Sequence, residues 1–298
     1  MALLGIDGGG STLRVVITDA ALSPLAEAVR STANPSVIGH DAAGALIQSA
    51  IREALAQVSV PIEAAGIGVA GASVVHSADW LVRVVRGVLP DTQVVPGSDL
   101  LIALVGAHGA LRDAMILAGT GSVALAIDAH GQPVQAGGWG YLLGDEGGGY
   151  WLALEALRAS ARYHDGAQPE ARDLAHAIMA ALGLARGVDL IPWVYRQPTP
   201  VREIAGQASL VLEAASAGDI VASGIITRGA QALATITHVA IAQARLAAPA
   251  IQFCGGLLSF DNPLSAALCR ELGLAARPVP LYPPVIGAAL LARMYLER

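Results

Sequence analysis

Two stretches of the chain carry the same pattern of apolar and polar positions. In the first, the apolar run Ala2-Leu3-Leu4-Gly5-Ile6 leads into Asp7-Gly8-Gly9-Gly10-Ser11-Thr12, and a second apolar run, Leu13 to Asp19, comes next. β-branched Val15, Val16, Ile17 and Thr18 favour an extended backbone. Ala20-Ala21-Leu22-Ser23-Pro24 then turns the chain into a third strand, Pro24 to Arg30. In the second stretch, Ala114 to Ala118 leads into Gly119-Thr120-Gly121-Ser122, then Val123 to Asp128, a turn at 129–132, and Pro133 to Gly137. Each stretch predicts a three-strand meander with a glycine turn after its first strand.

Helical periodicity sets in after each meander. Leu46, Ile47, Ala50, Ile51, Ala54 and Leu55 share one face of a helix over 41–58, with Asp41 as its cap. A buried strand at Ala65 to Ala70, a helix near 77–89 and a strand at Gln93 to Pro96 complete a βββαβαβ order, which implies a mixed sheet with flanking helices. After the second meander come helices near 147–163, 170–182, 201–217 and 219–245. The last of these carries Ile226, Ala230, Leu233, Ile236, Thr237, Ala240 and Ala244 as a stripe. Pro249 breaks the helix before a strand at Ala250 to Phe253, and a final helix covers 284–296. The pattern therefore reads as an α/β chain in two similar halves, divided near 109–113. No Pro- or Gly-rich linker separates them, so they are expected to move as hinged lobes.

Composition narrows the function classes. Of 298 residues, 54% are hydrophobic and 14% charged, as in a compact globular protein. The net charge of −6, with no run of Lys and Arg, argues against nucleic-acid binding. The most apolar stretches, such as Met115 to Ile127, are too short and too interrupted to span a bilayer, so no membrane partner is expected. The N-terminus lacks a basic segment and carries Asp7 inside its apolar run, unlike a signal peptide. Cys254 and Cys269 make no disulfide framework, which suits the cytoplasm. No histidine or cysteine spacing suggests zinc or iron–sulfur.

The candidate chemistry lies in six short segments. In DGGGST, the amides of Gly9, Gly10, Ser11 and Thr12 and the two hydroxyls suit phosphate oxygens, and Asp7 suits a metal ion or its water. In GTGS, hairpin amides with the Thr120 and Ser122 hydroxyls can do the same. The segment lacks the P-loop lysine and leads into a strand. Asp99, just past a strand and before a helical run, can accept a hydroxyl proton in phosphoryl transfer, yet Ser98 or Asp99 can equally be a helix cap. The stretch 137–151 holds seven glycines and four aromatics in a chain with 4% aromatics. Its Trp139 suits a sugar-ring face and its Asp145 sugar hydroxyls, with Trp151 expected in the core, against a reading of Asp145 as a helix cap and Trp139 and Trp151 both as core. Gly255 and Gly256, in CGGLL, would let a purine and ribose lie on the backbone, or simply turn a strand into a helix. Ser31-Thr32-Ala33-Asn34-Pro35 offers the Asn34 amide to a sugar, or makes a plain Asn-Pro turn.

Taken in order, these segments resemble the BadF/BadG/BcrA/BcrD-type ATPases of the actin–Hsp70–hexokinase superfamily, and within them N-acetylglucosamine kinases. DGGGST and GTGS resemble the two phosphate motifs and CGGLL the adenosine motif. Asn34, Gly71-Ala72, and Gly138, Trp139 and Asp145 within GGWG…GDEG resemble the amino-sugar pocket. Pro284-Val285-Ile286-Gly287-Ala288-Ala289 resembles the start of the closing helix. The resemblance implies two ribonuclease-H-like, actin-like ATPase lobes around a central cleft. They would be an N-terminal lobe over 1–110, with helix 284–298 packing back on it, and a C-terminal lobe over 111–283. It also implies ATP with Mg²⁺, an amino-sugar substrate, lobe closure, a homodimer, and Asp99 as catalytic base, here followed by Leu100 where relatives usually carry Ala. The activity implied is phosphorylation of the 6-OH of N-acetyl-D-glucosamine. The alternatives are glucosamine kinase, an ATPase activator of a dehydratase, for which Cys254 and Cys269 do not offer a shared-cluster arrangement, and a sugar-responsive regulator, for which no DNA-binding segment precedes the first strand.

Overall fold

The computed structural model describes residues 2–72, 74–198 and 201–297. The chain forms two compact units, Met1–Asp113 with Pro280–Arg298, and Ala114–Val279.

In the first unit, the meander is β1 (Ala2–Gly8), β2 (Thr12–Thr18) and β3 (Pro24–Ser31). It is followed by α1 (Pro35–Ile38), α2 (His40–Leu55), β4 (Ile62–Val69), α3 (Val74–Arg86), β5 (Gln93–Gly97) and α4 (Asp99–His108). The sheet order is β3-β2-β1-β4-β5, with β1–β2 and β2–β3 antiparallel and β1–β4 and β4–β5 parallel. Strand β1 from Ala2 to Ile6 and β2 from Val15 to Ile17 read as apolar runs because both their faces are covered there, whereas Arg14 of β2 is exposed. Leu4, Ile6, Val15 and Ile17 point to Ile47 and Ile51 of α2. Leu3 and Val16 point the other way, to Ile102 of α4 and to Ile286 and Ala289 of the last helix.

The second unit repeats the meander with β6 (Ala114–Ala118), β7 (Ser122–Ile127) and β8 (Pro133–Gly137). After it come α5 (Gly149–His164), α6 (Arg172–Leu182), α7 (Leu190–Val194), α8 (Val201–Gly206), α9 (Ala208–Ser216), α10 (Ile220–Gln243) and β9 (Ile251–Cys254), with short 3-10 turns at Pro169–Ala171 and Gly187–Asp189. Helix α11 (Pro263–Glu271) closes the unit. The sheet order is β8-β7-β6-β9, with only β6–β9 parallel. Each unit therefore carries a mixed sheet with flanking helices.

The last helix, α12 (Pro284–Leu296), returns to the first unit and lies on β1, β4 and α4. Its backbone sits so close that a Cβ on Gly5 would overlap the Val285 carbonyl, and one on Gly66 the Ala288 carbonyl. Glycine at the midpoint of both strands is what admits the helix, and overpacking at such a place costs about 1–3 kcal/mol.

Several local expectations are corrected. Helix α2 starts at His40 with Gly39 (φ 82°) as its cap, and Asp41 lies in the first turn, where its charge meets the helix dipole instead. The stretch 201–217 is two helices, broken at Gly206-Gln207, where glycine's weak helix propensity lets the chain bend. Helix α11 has a clear start signal in the sequence, Asn262-Pro263-Leu264-Ser265. The Leu264 and Ser265 amides donate to Asn262 Oδ1 at 2.9 and 3.1 Å, and Ser265 Oγ accepts from the Asn262 amide at 3.0 Å.

Candidate functional site

In the first unit, the parallel register brings the C-terminal ends of β1, β4 and β5 into line: Asp7 pairs with Gly68, and Gly68 with Gly97. Ligands of open α/β sheets bind outside such strand ends. The turn after β1 is closed by the Gly9 amide donating to the Thr12 carbonyl at 2.9 Å. The Gly9 amide is therefore spent inside the turn, a correction to its expected part as a phosphate donor. A Cβ on Gly10 would meet nothing within 4 Å, and Ser11 is exposed, so the turn's crest is open.

Asp99 opens α4, but it is not the cap. Ser98 is: its Oγ accepts from the Leu101 amide at 3.0 Å. Of the two readings that spacing left open for Asp99, capping is thus taken by its neighbour. The Asp99 carboxylate accepts instead from its own amide and that of Leu100, and burial still raises its pKa above the usual carboxylate range. Asp7 is pushed up to about 6, first by burial and then by the Asp99 charge, with Arg14 opposing. Two half-buried carboxylates that raise the energy of each other's charge form a place where a proton or a cation is favoured.

Asn34 caps α1, its Oδ1 accepting from the Ser36 amide at 2.9 Å, which leaves the side-chain NH₂ as a donor. Both sequence readings of Asn34 are therefore compatible: the turn fixes the residue and presents its other end. Gly71 packs against it with φ 76°, and a Cβ there would overlap Asn34 Oδ1. The Ala72 methyl is buried in the core, so its backbone is the part that can serve a ligand.

In the second unit the glycine turn is enclosed. The Gly119 amide donates to the Gly121 carbonyl at 2.9 Å, so it too is spent within its turn. Ser122 is buried, and its Oγ donates to the Glu146 carbonyl at 2.8 Å, which corrects the expectation that this hydroxyl faces a phosphate. Thr120 remains exposed. The start of α5 is stitched to the same turn by the Gly149 amide on the Gly119 carbonyl (2.8 Å) and the Tyr150 amide on the Thr120 carbonyl (3.0 Å).

Asp145 is not a helix cap either, because α5 begins at Gly149 behind Gly148. It adopts φ 63°, a conformation uncommon outside glycine, and its carboxylate lies over Gly121, where a Cβ would overlap it. It accepts from the Gly140 amide at 3.2 Å and from the Ser122 amide. Burial is the main cause of its raised pKa, with Glu146 adding to it. A predicted sugar-binding carboxylate and a predicted phosphate turn are thus in direct contact. The sequence offered one signal of this closeness, the density of glycine over 137–149.

Trp139 is 74% exposed, with Leu142 and Leu143 beside it in sequence at 80%, so Trp139 is no core residue. Trp151, expected in the core, is half-buried and packs against it. Gly138 is exposed with φ 74°. The parallel pair β6–β9 sets Cys254 beside Leu117, so Gly255 and Gly256 lie next to the turn at Gly119. Gly255 (φ 86°) packs on the Ala118 carbonyl, and Gly256 is exposed. Burial pushes the Cys254 thiol up to about 12, and Cys269 is buried on α11, so neither is a ready thiolate.

Comparison with known proteins fits this arrangement. The chain is 29% identical over 234 residues to an N-acetylmuramic acid/N-acetylglucosamine kinase of Clostridium acetobutylicum, covering 78% of this chain and 76% of that one. It is 27% identical over 315 residues to an N-acetyl-D-glucosamine kinase of Dictyostelium discoideum, covering 97% of both. Among solved structures, a Chromobacterium violaceum protein described as a candidate N-acetylglucosamine kinase superposes with a TM-score of 0.75 at 27% identity, over 97% of this chain and 98% of that one. The model of the BadF/BadG/BcrA/BcrD ATPase family matches residues 4–292, essentially the whole length of both sheets and the returning helix, and the chain belongs to that family.

Proposed function

We propose that this protein is an ATP-dependent amino-sugar kinase that transfers the γ-phosphoryl group to the 6-OH of N-acetyl-D-glucosamine. The observation that carries the reading is Asp99: a half-buried carboxylate at the strand ends of the first sheet, released from capping by Ser98, with a pKa raised by burial. Asp99 takes the proton of the acceptor hydroxyl as that oxygen bonds to the γ-phosphorus. The bond from the γ-phosphorus to its bridging oxygen breaks, and ADP leaves. A carboxylate so placed acts chiefly by orienting the hydroxyl, since phosphoryl transfer depends mostly on positioning and charge stabilisation.

In the first unit, Gly10, Ser11 and Thr12 would meet phosphate oxygens of ATP; in the second, taken by itself, Thr120 and Gly121 offer the same chemistry. Gly255 and Gly256 would lie beside its ribose and base. In the first unit the Asn34 NH₂ and the Gly71-Ala72 backbone would meet sugar hydroxyls; in the second, Gly138, the exposed Trp139 face and Asp145 offer sugar-binding chemistry of their own. Among the described residues no three His, Cys, Asp or Glu side chains gather into a metal cage. That suits a magnesium ion that arrives hydrated on the phosphates and takes a single protein carboxylate. Asp7 would be that carboxylate, and the ion would neutralise phosphate charge. The same reading makes the protein a cytoplasmic homodimer.

The test is an ADP-release assay across N-acetylglucosamine, glucosamine, N-acetylmuramic acid and plain hexoses, run with wild type and Asp99→Asn. Turnover highest with N-acetylglucosamine, and lost in the variant, is the expected result. Equal turnover with plain hexoses would overturn the substrate, and unchanged turnover in Asp99→Asn would overturn the base.

A further inference from the structure

Thr32 has no part in the proposed phosphoryl transfer, yet it stands between two of the segments that would serve it. It is the first residue after β3, and the pairing of Thr12 with Ser31 sets it beside the first glycine turn. Its Oγ1 donates to the Gly9 carbonyl at 3.3 Å and accepts from the Asn34 amide at 3.2 Å. The series continues beyond Asn34. The Ser36 amide donates to Asn34 Oδ1, and Ser36 Oγ donates to the Gly71 carbonyl at 3.1 Å. Gly71 in turn packs on Asn34 with no room for a side chain. A continuous hydrogen-bonded run therefore joins the turn proposed for phosphate to both first-unit segments proposed for sugar, all within one compact unit.

We infer that Thr32 is a positioning residue that couples nucleotide binding to sugar binding. The inference rests on the kinase reading, because it takes the turn as the nucleotide side and Asn34 as the sugar side. A hydroxyl that donates to one segment and accepts from the other can hold both only in one mutual arrangement. Phosphate oxygens on the turn fix the Gly9 peptide, and through Thr32 they fix the Asn34 backbone before the sugar arrives. The converse holds equally, because a coupling between two binding events is reciprocal. A run carried by single hydrogen bonds supports a coupling of about three- to tenfold in affinity. A role in local stability alone would leave the two ligands independent.

The experiment measures, by calorimetry on the whole protein, the Kd of N-acetylglucosamine with and without a non-hydrolysable ATP analogue and magnesium, and the Kd of the analogue with and without the sugar. In wild type each ligand should tighten the other by the same factor, about three- to tenfold. Thr32→Val, which keeps the shape and removes the hydroxyl, should bring both ratios close to one, and Thr32→Ser should restore them. Ser36→Ala, at an exposed residue, keeps the amide that bonds Asn34 Oδ1 and removes only the Oγ bond to the Gly71 carbonyl, and should lower the ratio by about two- to threefold. A wild-type ratio retained in either Thr32→Val or Ser36→Ala, or Thr32→Ser behaving as Thr32→Val does, overturns the coupling. A wild type that turns over the sugar but shows a ratio of one overturns it while leaving the kinase reading intact. A wild type that binds no sugar overturns both.

Discussion

The two glycine turns come after the same kind of strand and begin the same kind of meander, yet they are different objects. The first is closed by the hydrogen bond from the Gly9 amide to the Thr12 carbonyl; at its crest a Cβ on Gly10 would have room, and Ser11 is exposed. The second is enclosed by its own unit. Asp145 covers Gly121, Gly148 crowds it from behind, Ser122 is turned inward to Glu146, and α5 is stitched to Gly119 and Thr120. Glycine in the first turn keeps the backbone accessible, whereas glycine in the second makes room for a neighbouring carboxylate. The same residue in the same pattern thus meets two unrelated physical demands, one of approach from outside and one of packing from inside.

This difference can be broken experimentally, starting with the carboxylate that accompanies the open turn. Asp99→Asn should lower kcat about a hundredfold or more while the sugar KM moves less than about threefold, as removal of a general base requires. Steady-state kinetics checks this, and equal loss in both parameters would place Asp99 in binding instead. The turns themselves separate next. Gly121→Ala forces its Cβ onto Asp145 and should destabilise the protein by about 1–3 kcal/mol. Gly10→Ala meets no atom and should stay within about 0.5 kcal/mol. Urea titration of both variants, read against wild type, tests whether the second turn is the packed one.

The pH dependence of stability sharpens the same contrast from the first unit's side. Asp7 has its folded pKa raised from 3.8 to about 6. Its favourable contribution is therefore fully present below the unfolded value and is lost as pH rises through about 6. Asp7→Asn should remove that dependence between about pH 4 and 6 and make the protein about 1–3 kcal/mol more stable at neutral pH. Thermal melts of both proteins across this window give the answer, and parallel profiles would show that Asp7 is not strained by its surroundings. A smaller effect than at Asp7 is expected at Asn262, whose Nδ2 donates to the Leu257 carbonyl at 2.8 Å and so holds the Gly255-Gly256 loop while its Oδ1 caps α11. Asn262→Ala should lower stability by about 1 kcal/mol and raise the ATP KM by about two- to fivefold, with the sugar KM unchanged.

Much of this was legible in the chain. Apolar runs and glycine turns located both meanders, and helical periodicity located α2 and α10. The resemblance of ordered short motifs named the family that the whole-length match then established. The segments proposed for chemistry were singled out because glycine, aspartate and tryptophan are conspicuous in an alanine-rich chain. Helix α11 was read only as a helix pattern around Cys269, without bounds, although Asn262-Pro263-Leu264-Ser265 is a readable capping box. Thr32 gave no signal of its own, since a threonine after a strand is unremarkable until its two hydrogen bonds are seen.

What the sequence determined by itself is whatever depends on neighbours along the chain: strand, turn, helix period and the positions where glycine or a carboxylate is available. What the tertiary structure alone decided is which of several equivalent groups performs each task. Ser98 rather than Asp99 caps α4, Ser122 turns inward while Thr120 stays exposed, and Asp145 lies on Gly121 instead of heading a helix. The physical reason is that hydrogen-bond partners and burial are set by segments far apart in sequence. A donor's availability is fixed only when the fold has chosen its acceptor.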